Sequence, residues 1–388
     1  MSDALAKIRA ALARSHSSTT TSVIRAPGRV NLIGEHTDYN GGWVLPCAID
    51  FATYVAARAR NDRTIRAFAL DIEGGEVQFS LDHGYQADQN HAWSNYVRAV
   101  AQVLLDVGHT LSGADLFVSG DIPQGAGLSS SASLCIGVAK AFNELCKLDL
   151  SPMALSKIAQ AAENRYVGCN CGIMDQVASA LSAQGHATLL DCESLQSSLI
   201  PLPQDLHIAI IHSGVSRGLV DSEYNSRRRD CETASQFFGA VSLRHVSLEQ
   251  LENHKAELSP LAFKRAYHVV SENQRVLDFV NALAVRDYER LGEIMVASHC
   301  SMRDDFEITT PEIDLLVDQL NAHIRLRGGA RMTGGGFGGC VVALCDTNAL
   351  DAIKTKVIPS YTEKTGRIAR LYVCSPHAGA SILAAETL

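Results

Sequence analysis

Apolar positions divide the chain into short extended runs, then helices, then a closing set of strands and helices. Three- and four-residue apolar spacing predicts an amphipathic surface helix over residues 3–14, and the Ser/Thr-rich tract after it reads as a mobile linker. Short runs over 43–50, 53–57, 64–69 and 76–81, each bounded by polar residues or glycine, predict strands. Helical periodicity covers 95–107, and 114–119 reads as a strand. Helices are expected over 130–146, 152–167 and 174–181, and strands over 187–191 and 206–212. The second half is mainly helical through Leu320, then alternates strand (329–333), strand (340–345), helix (350–365) and strand (370–374). This order predicts an α+β layer structure, with helices packed on mixed or antiparallel sheets. Pro201 and Pro203 and a shift in composition put a boundary between residues 199 and 205, giving a helix and linker (1–21) and two units, 22–200 and 201–388. The sequence has no internal repeat and no low-complexity tract.

Composition narrows the partners. With 388 residues, 46% of them hydrophobic, the chain has material for substantial cores. A net charge of −8 and a pI near 6.0 speak against a broad nucleic-acid or anionic-membrane surface and favour small molecules. No apolar run approaches the roughly 18 residues needed to span a bilayer. The basic, Ser-rich start carries an early acid, Asp3, and reads as a helix rather than a transit peptide. Eleven cysteines without a regular framework, several in apolar runs such as Cys340 to Cys345, fit reduced thiols in a cytoplasmic protein. Cys169 and Cys171 form a lone C-x-C with no second pair at metal spacing.

Three segments concentrate chemistry. GRVNLIGEHTDY, residues 28–39, crowds Arg29, Asn31, Glu35, His36, Thr37 and Asp38 between apolar flanks, so it reads as a polar loop anchored in a sheet. Such a density of hydrogen-bonding groups suits a polyhydroxylated ligand. PQGAGLSSSAS, residues 123–133, sits between a strand and a helix; its glycines let backbone amides approach an anion, and its serines are expected to cap the helix while offering hydroxyls. It has no lysine and is not a Walker loop. Asp175, in CGIMDQ, falls in a first helical turn, where the dipole favours its ionised form. GGGFGG, residues 334–339, formally satisfies G-x-G-x-x-G, but a strand rather than a helix follows, which argues against dinucleotide binding.

Residues 25–50, RAPGRVNLIGEHTDYNGGWVLPCAID, resemble the galactokinase signature of the GHMP kinases, PQGAGLSSSAS resembles the second GHMP motif, and RMTGGGFGGCVVAL resembles the third. The motifs lie in family order across nearly the whole chain. The resemblance implies a two-domain GHMP kinase fold with the active site in the interdomain cleft, and ATP-dependent phosphorylation of α-D-galactose at C1, the first committed step of galactose catabolism. It implies Asp175 as catalytic carboxylate with Arg29 beside it, and Glu35, His36, Asp38, Gly172 and Tyr224 around the sugar. Gly125, Ala126, Gly127, Leu128, Ser129, Ser130 and Ser131 would wrap the triphosphate, Trp93 would border adenine, and Ser131 with Glu163 would hold Mg²⁺. The third motif would bring a glycine-rich hairpin close to the phosphate loop. The expected partners are galactose and ATP, without nucleic acid or membrane, and the expected state is a monomer. His212 departs from the asparagine more usual in the family. Two alternatives stay open: another GHMP sugar kinase, such as an N-acetylgalactosamine kinase, and a silent sugar sensor, which would lack the Ser131-Ala132 step present here.

Overall fold

The structure, a computed structural model, describes residues 3–14, 21–215 and 220–383. Its first sheet has six strands in the order Ser381–Ile382, Thr21–Asn31, Pro46–Ala59, Ala114–Gly120, Thr64–Ala69 and Glu76–Ser80. All neighbours are antiparallel except Thr64–Ala69 with Ala114–Gly120, which makes the sheet mixed. An antiparallel sheet runs Gly329–Thr333, Cys340–Cys345, His207–His212, Arg370–Cys374. A smaller one joins Trp43–Val44, His186–Asp191 and Ser197–Pro201. Helices cover these sheets, as the sequence pattern predicts.

Strong periodicity fixes many elements residue for residue, including the helices Ser130–Cys146 and Met174–Leu181 and the strands Gly329–Thr333 and Cys340–Cys345. Elsewhere the structure corrects the pattern. The expected strands 43–50 and 53–57 are instead a two-residue strand, Trp43–Val44, and one long strand, Pro46–Ala59. The register between Thr21–Asn31 and that long strand shifts between Pro27 and Arg29, so residues 49–51 stand opposite Gly28 alone. This bulge exposes Asp50 in mid-strand, which is why the pattern looked broken there. The polar signature is likewise not all loop, because its first four residues finish the strand Thr21–Asn31. The helix expected over 152–167 ends in a π turn, Glu163–Val167, and the one expected over 350–365 is interrupted by another, Ile353–Val357. Ser197–Pro201, which overlaps the boundary expected between residues 199 and 205, is a strand, and Ser381–Ile382 joins the first sheet.

The helix Asp3–Arg14 docks Leu5 and Ile8 on the outer face of the first sheet, against Val23, Ala56 and Phe117. The Ser/Thr linker expected after it, residues 15–20, lies outside the described residues. The inner face of that sheet packs on the helices Ser94–Asp106, Ser130–Cys146 and Pro152–Ala162. A separate core joins the antiparallel sheet to the helices Pro260–Ala284 and Pro311–Ile324. A third cluster unites the two halves, placing Val30, Leu32 and Leu45 with Ile210, Phe279 and Val342. The sugar signature therefore sits on the seam between them. Among the described residues, no helix is long and apolar enough to cross a membrane.

Candidate active site

A cleft of 310 Å³ opens at that seam, and residues from all the singled-out segments line it: Arg29, Asp38, Ser131, Asp175, Tyr224 and Gly334. The phosphate loop presses directly on the signature strand. A Cβ built on Gly28 would lie 2.7 Å from the Leu128 carbonyl oxygen, and the Arg29 amide donates to that same oxygen at 3.2 Å. Only glycine lets the two backbones approach so closely. Gly125 and Gly127 hold left-handed φ values of 71° and 70°. Ser129 shares that conformation, with φ of 60°, at the N-cap of the helix Ser130–Cys146. The expectation that this serine caps the helix is overturned: its side chain makes no cap bond and donates to Asp175 Oδ2 at 2.6 Å.

Asp175 stands in the first turn of Met174–Leu181. Arg29 donates to its Oδ1 through Nε at 2.7 Å and Nη2 at 2.6 Å, and through Nη1 to the Gly127 carbonyl oxygen at 2.8 Å. One guanidinium thus ties the carboxylate to the phosphate loop. The fork geometry is what arginine offers and lysine does not. The Asp175 side chain remains 26% exposed, to the cleft.

Asp38, His36, Glu35, Gly172 and Tyr224 gather on another wall. A Cβ on Gly172 would fall 1.9 Å from Asp38 Oδ2, so glycine is required for this backbone to sit against the carboxylate. Desolvation, with the nearby Asp175 charge, pushes Asp38 up to about 7, against the hydrogen bond from the Tyr39 amide. His36 has φ of 62° and packs at a tilt against Tyr224 and Phe306, with ring centroids at 5.1 and 4.8 Å. Burial holds it neutral, with a pKa near 3, against a hydrogen bond to the Gly335 backbone; its Nδ1 meets the Tyr39 hydroxyl at 2.8 Å.

Glu35 belongs to a different kind of site. Its Oε1 accepts from the Gly334 amide at 2.9 Å, Thr333 Oγ1 at 3.0 Å and Arg331 Nη2 at 3.2 Å, clamping the signature to the glycine-rich hairpin. Arg331 is fully buried and also donates to the Asn31 and Leu32 carbonyl oxygens. Beneath it, Glu272 accepts from the Gly34 amide, Ser298 and Arg275. Burial opposes the charge on Glu272, but Arg275, His268 and Arg331 bring its pKa down to about 2. Sequence reading assigned no role to Arg331, although it opens the third motif, or to Glu272, which periodicity presents as one more helix position.

On the nucleotide side, Ser131 lines the cleft, and Glu163 lies buried at the start of its π turn. Burial pushes Glu163 up to about 7, against hydrogen bonds from Ser131 and from Gln176, whose Nε2 lies 2.5 Å away. Ala126 is buried behind the loop, in the cluster that unites the two halves. Trp93 is not brought into the cleft; it is half-buried against the inner core, with a buried indole N–H that lacks a partner. His212 ends its strand, with Nδ1 accepting from the Gly214 amide at 3.1 Å. Gly334 and Gly335 face the same cleft as Ser129 to Ser131, as expected of the third motif.

The uncapped helix start, the carboxylate–arginine pair and the glycine hairpin meet in one cleft, as the resemblance to the GHMP kinases implies. Models of the GHMP kinases' N terminal and C terminal domains match residues 95–183 and 279–363. The galactokinase galactose-binding signature matches residues 13–59. The Lactococcus lactis galactokinase, whose structure was solved with galactose, is 34% identical, with a TM-score of 0.92 over 98% of this chain and 100% of its own. The chain belongs to the galactokinase family. The Methanococcus jannaschii mevalonate kinase (19% identity, TM-score 0.62, 93% and 99% covered) and the homoserine kinase of Cytophaga hutchinsonii (17%, 0.61, 95% and 99%) share the fold.

Proposed function

We propose that the cleft transfers the γ-phosphoryl group of ATP to the C1 hydroxyl of α-D-galactose, giving α-D-galactose 1-phosphate and ADP. The observation that carries this reading is Arg29, which holds Asp175 with one edge and the phosphate loop with the other. In this reading Asp175 accepts the proton of the C1 hydroxyl as that oxygen attacks the γ-phosphorus and ADP leaves, and Arg29 offsets the negative charge growing between them. Asp38, His36 and the Tyr224 hydroxyl supply partners for the other sugar hydroxyls, with Gly172 giving them backbone room. Glu35 contributes Oε2, its other oxygen being committed to the hairpin.

The phosphate loop from Gly125 to Ser131 takes the triphosphate on the open amides of its helix, with the dipole adding to the attraction. Ser131 and Glu163 would hold Mg²⁺. The fit rests on an all-oxygen donor pair in which a buried carboxyl, already pushed towards protonation, would exchange its proton for a cation. When bound, Mg²⁺ supplies charge neutralisation for the phosphates. We assign the units 22–200 and 201–388 to two lobes about the cleft, with the strand Ser381–Ile382 added to the first, and propose a cytoplasmic monomer. A coupled ADP-release assay over galactose, N-acetylgalactosamine and glucose tests the reading. Turnover with galactose well above the others is expected; turnover confined to N-acetylgalactosamine, or none with any sugar, would overturn it.

A further inference from the structure

Ser129 combines three observations that a capped turn does not explain. Serine at an N-cap ordinarily adopts extended backbone and turns its oxygen onto an amide one turn into the helix, an arrangement worth about 1 kcal/mol. Here the backbone is left-handed, a conformation that costs a non-glycine residue, and the cap bond is absent. The hydroxyl instead crosses the cleft to Asp175 Oδ2 at 2.6 Å, a charge-assisted distance. The opposite oxygen of that carboxylate is held by Arg29. Two disfavoured local choices are thus maintained to place one hydroxyl.

We infer that Ser129 is a positioning residue that orients the Asp175 carboxylate for the sugar hydroxyl while leaving the helix amides free for phosphate. The inference rests on the galactose kinase reading and deepens it. Arg29 alone fixes Oδ1 and lets the carboxylate rotate about the Cβ–Cγ bond; the Ser129 donor on Oδ2 stops that rotation. Because Ser129 belongs to the phosphate loop, the orientation of the carboxylate is tied to the geometry of the loop that receives ATP. A residue acting only on nucleotide would face the phosphates and leave Asp175 untouched.

The test compares Ser129→Ala, Ser129→Gly and wild type by steady-state ADP release, alone and combined with Asp175→Asn. Glycine relieves the positive φ, so Ser129→Gly folds at least as well as wild type by thermal melting while lacking the hydroxyl. Both single variants are expected to lower kcat by about 10- to 100-fold, the scale of one hydrogen bond to a charged group, with KM for ATP changed less than about threefold. In the Asp175→Asn background the same substitutions should lower the residual rate by no more than about twofold, since an amide that takes no proton gains little from orientation. Wild-type kcat in Ser129→Gly would overturn the proposal, as would an equal loss in both backgrounds or a loss confined to KM for ATP. No ADP release by the wild-type enzyme with galactose would overturn the functional reading itself, and this proposal with it.

Discussion

Asp175 and Glu35 are both carboxylates beside an arginine in the same cleft, yet they are held in opposite ways. Glu35 is 3% exposed, and three donors saturate one of its oxygens from a neighbouring hairpin. Its backbone is also fixed: the Glu272 carboxylate accepts from its amide at 3.4 Å, and its carbonyl oxygen lies 3.1 Å from His268 Nε2. Asp175 is 26% exposed and keeps a face to the cleft, although both of its oxygens are oriented. The difference is a division of labour. A saturated, buried pair locks two motifs together and has little left for chemistry. An oriented pair with an open side can accept a proton at a defined place.

Breaking the buried member should have the largest effect. Arg331→Ala leaves Glu35 without its buried cation and should cost about 3–5 kcal/mol of stability, read as a lowered denaturation midpoint. An unchanged midpoint would mean that the clamp is dispensable. Next in size is Asp38→Ala. If Asp38 partners the axial C4 hydroxyl, the stereocentre at which galactose and glucose differ, its loss, worth about 1–3 kcal/mol, should narrow the galactose-to-glucose ratio of kcat/KM by roughly 10- to 100-fold. Equal losses on both sugars would reduce Asp38 to a support for its loop. Ser131→Ala should raise the Mg²⁺ concentration needed for half-maximal rate by about tenfold, the scale of one lost oxygen partner. Galactose binding, followed calorimetrically without nucleotide, should stay as it was, and a large loss there would put Ser131 in the sugar site instead.

The smallest effect concerns pH. Asp38 titrates near 7 in the fold and near 3.8 when unfolded, so between these values the folded state holds the extra proton and stability falls as pH rises. His36 and His268, held near 3 and 4, act in the opposite sense below about 6.5. The Asp38 contribution is therefore isolated by comparison: Asp38→Asn should gain stability relative to wild type between pH 5 and pH 8 in ligand-free melting. A difference independent of pH would remove the proton from Asp38.

The sequence revealed the open site better than the buried one. Asp175, Arg29 and the phosphate loop stand in motifs whose chemistry is local, and strong periodicity fixed the helices that carry them. What escaped is what depends on distant partners. Arg331 looks like a strand cation until it is seen buried against carbonyl oxygens some 300 positions away in the chain. The bulge at residues 49–51 interrupts an otherwise buried strand opposite Gly28, the glycine that lets Leu128 approach, a fact of tertiary contact. Ser129 follows its local preference for a helix start in position but not in conformation, since the pull of Asp175 comes from 46 residues on. Ser197–Pro201 is mostly exposed and lacks the apolar alternation of an interior strand.

Single-turnover phosphoryl transfer by Asp175→Asn, with saturating galactose and MgATP, tests the division most directly. Transfer about 100-fold slower or more is predicted, with the melting temperature and the affinities for both substrates close to wild type. Transfer at the wild-type rate would contradict it and leave Asp175 as a second structural carboxylate beside Glu35.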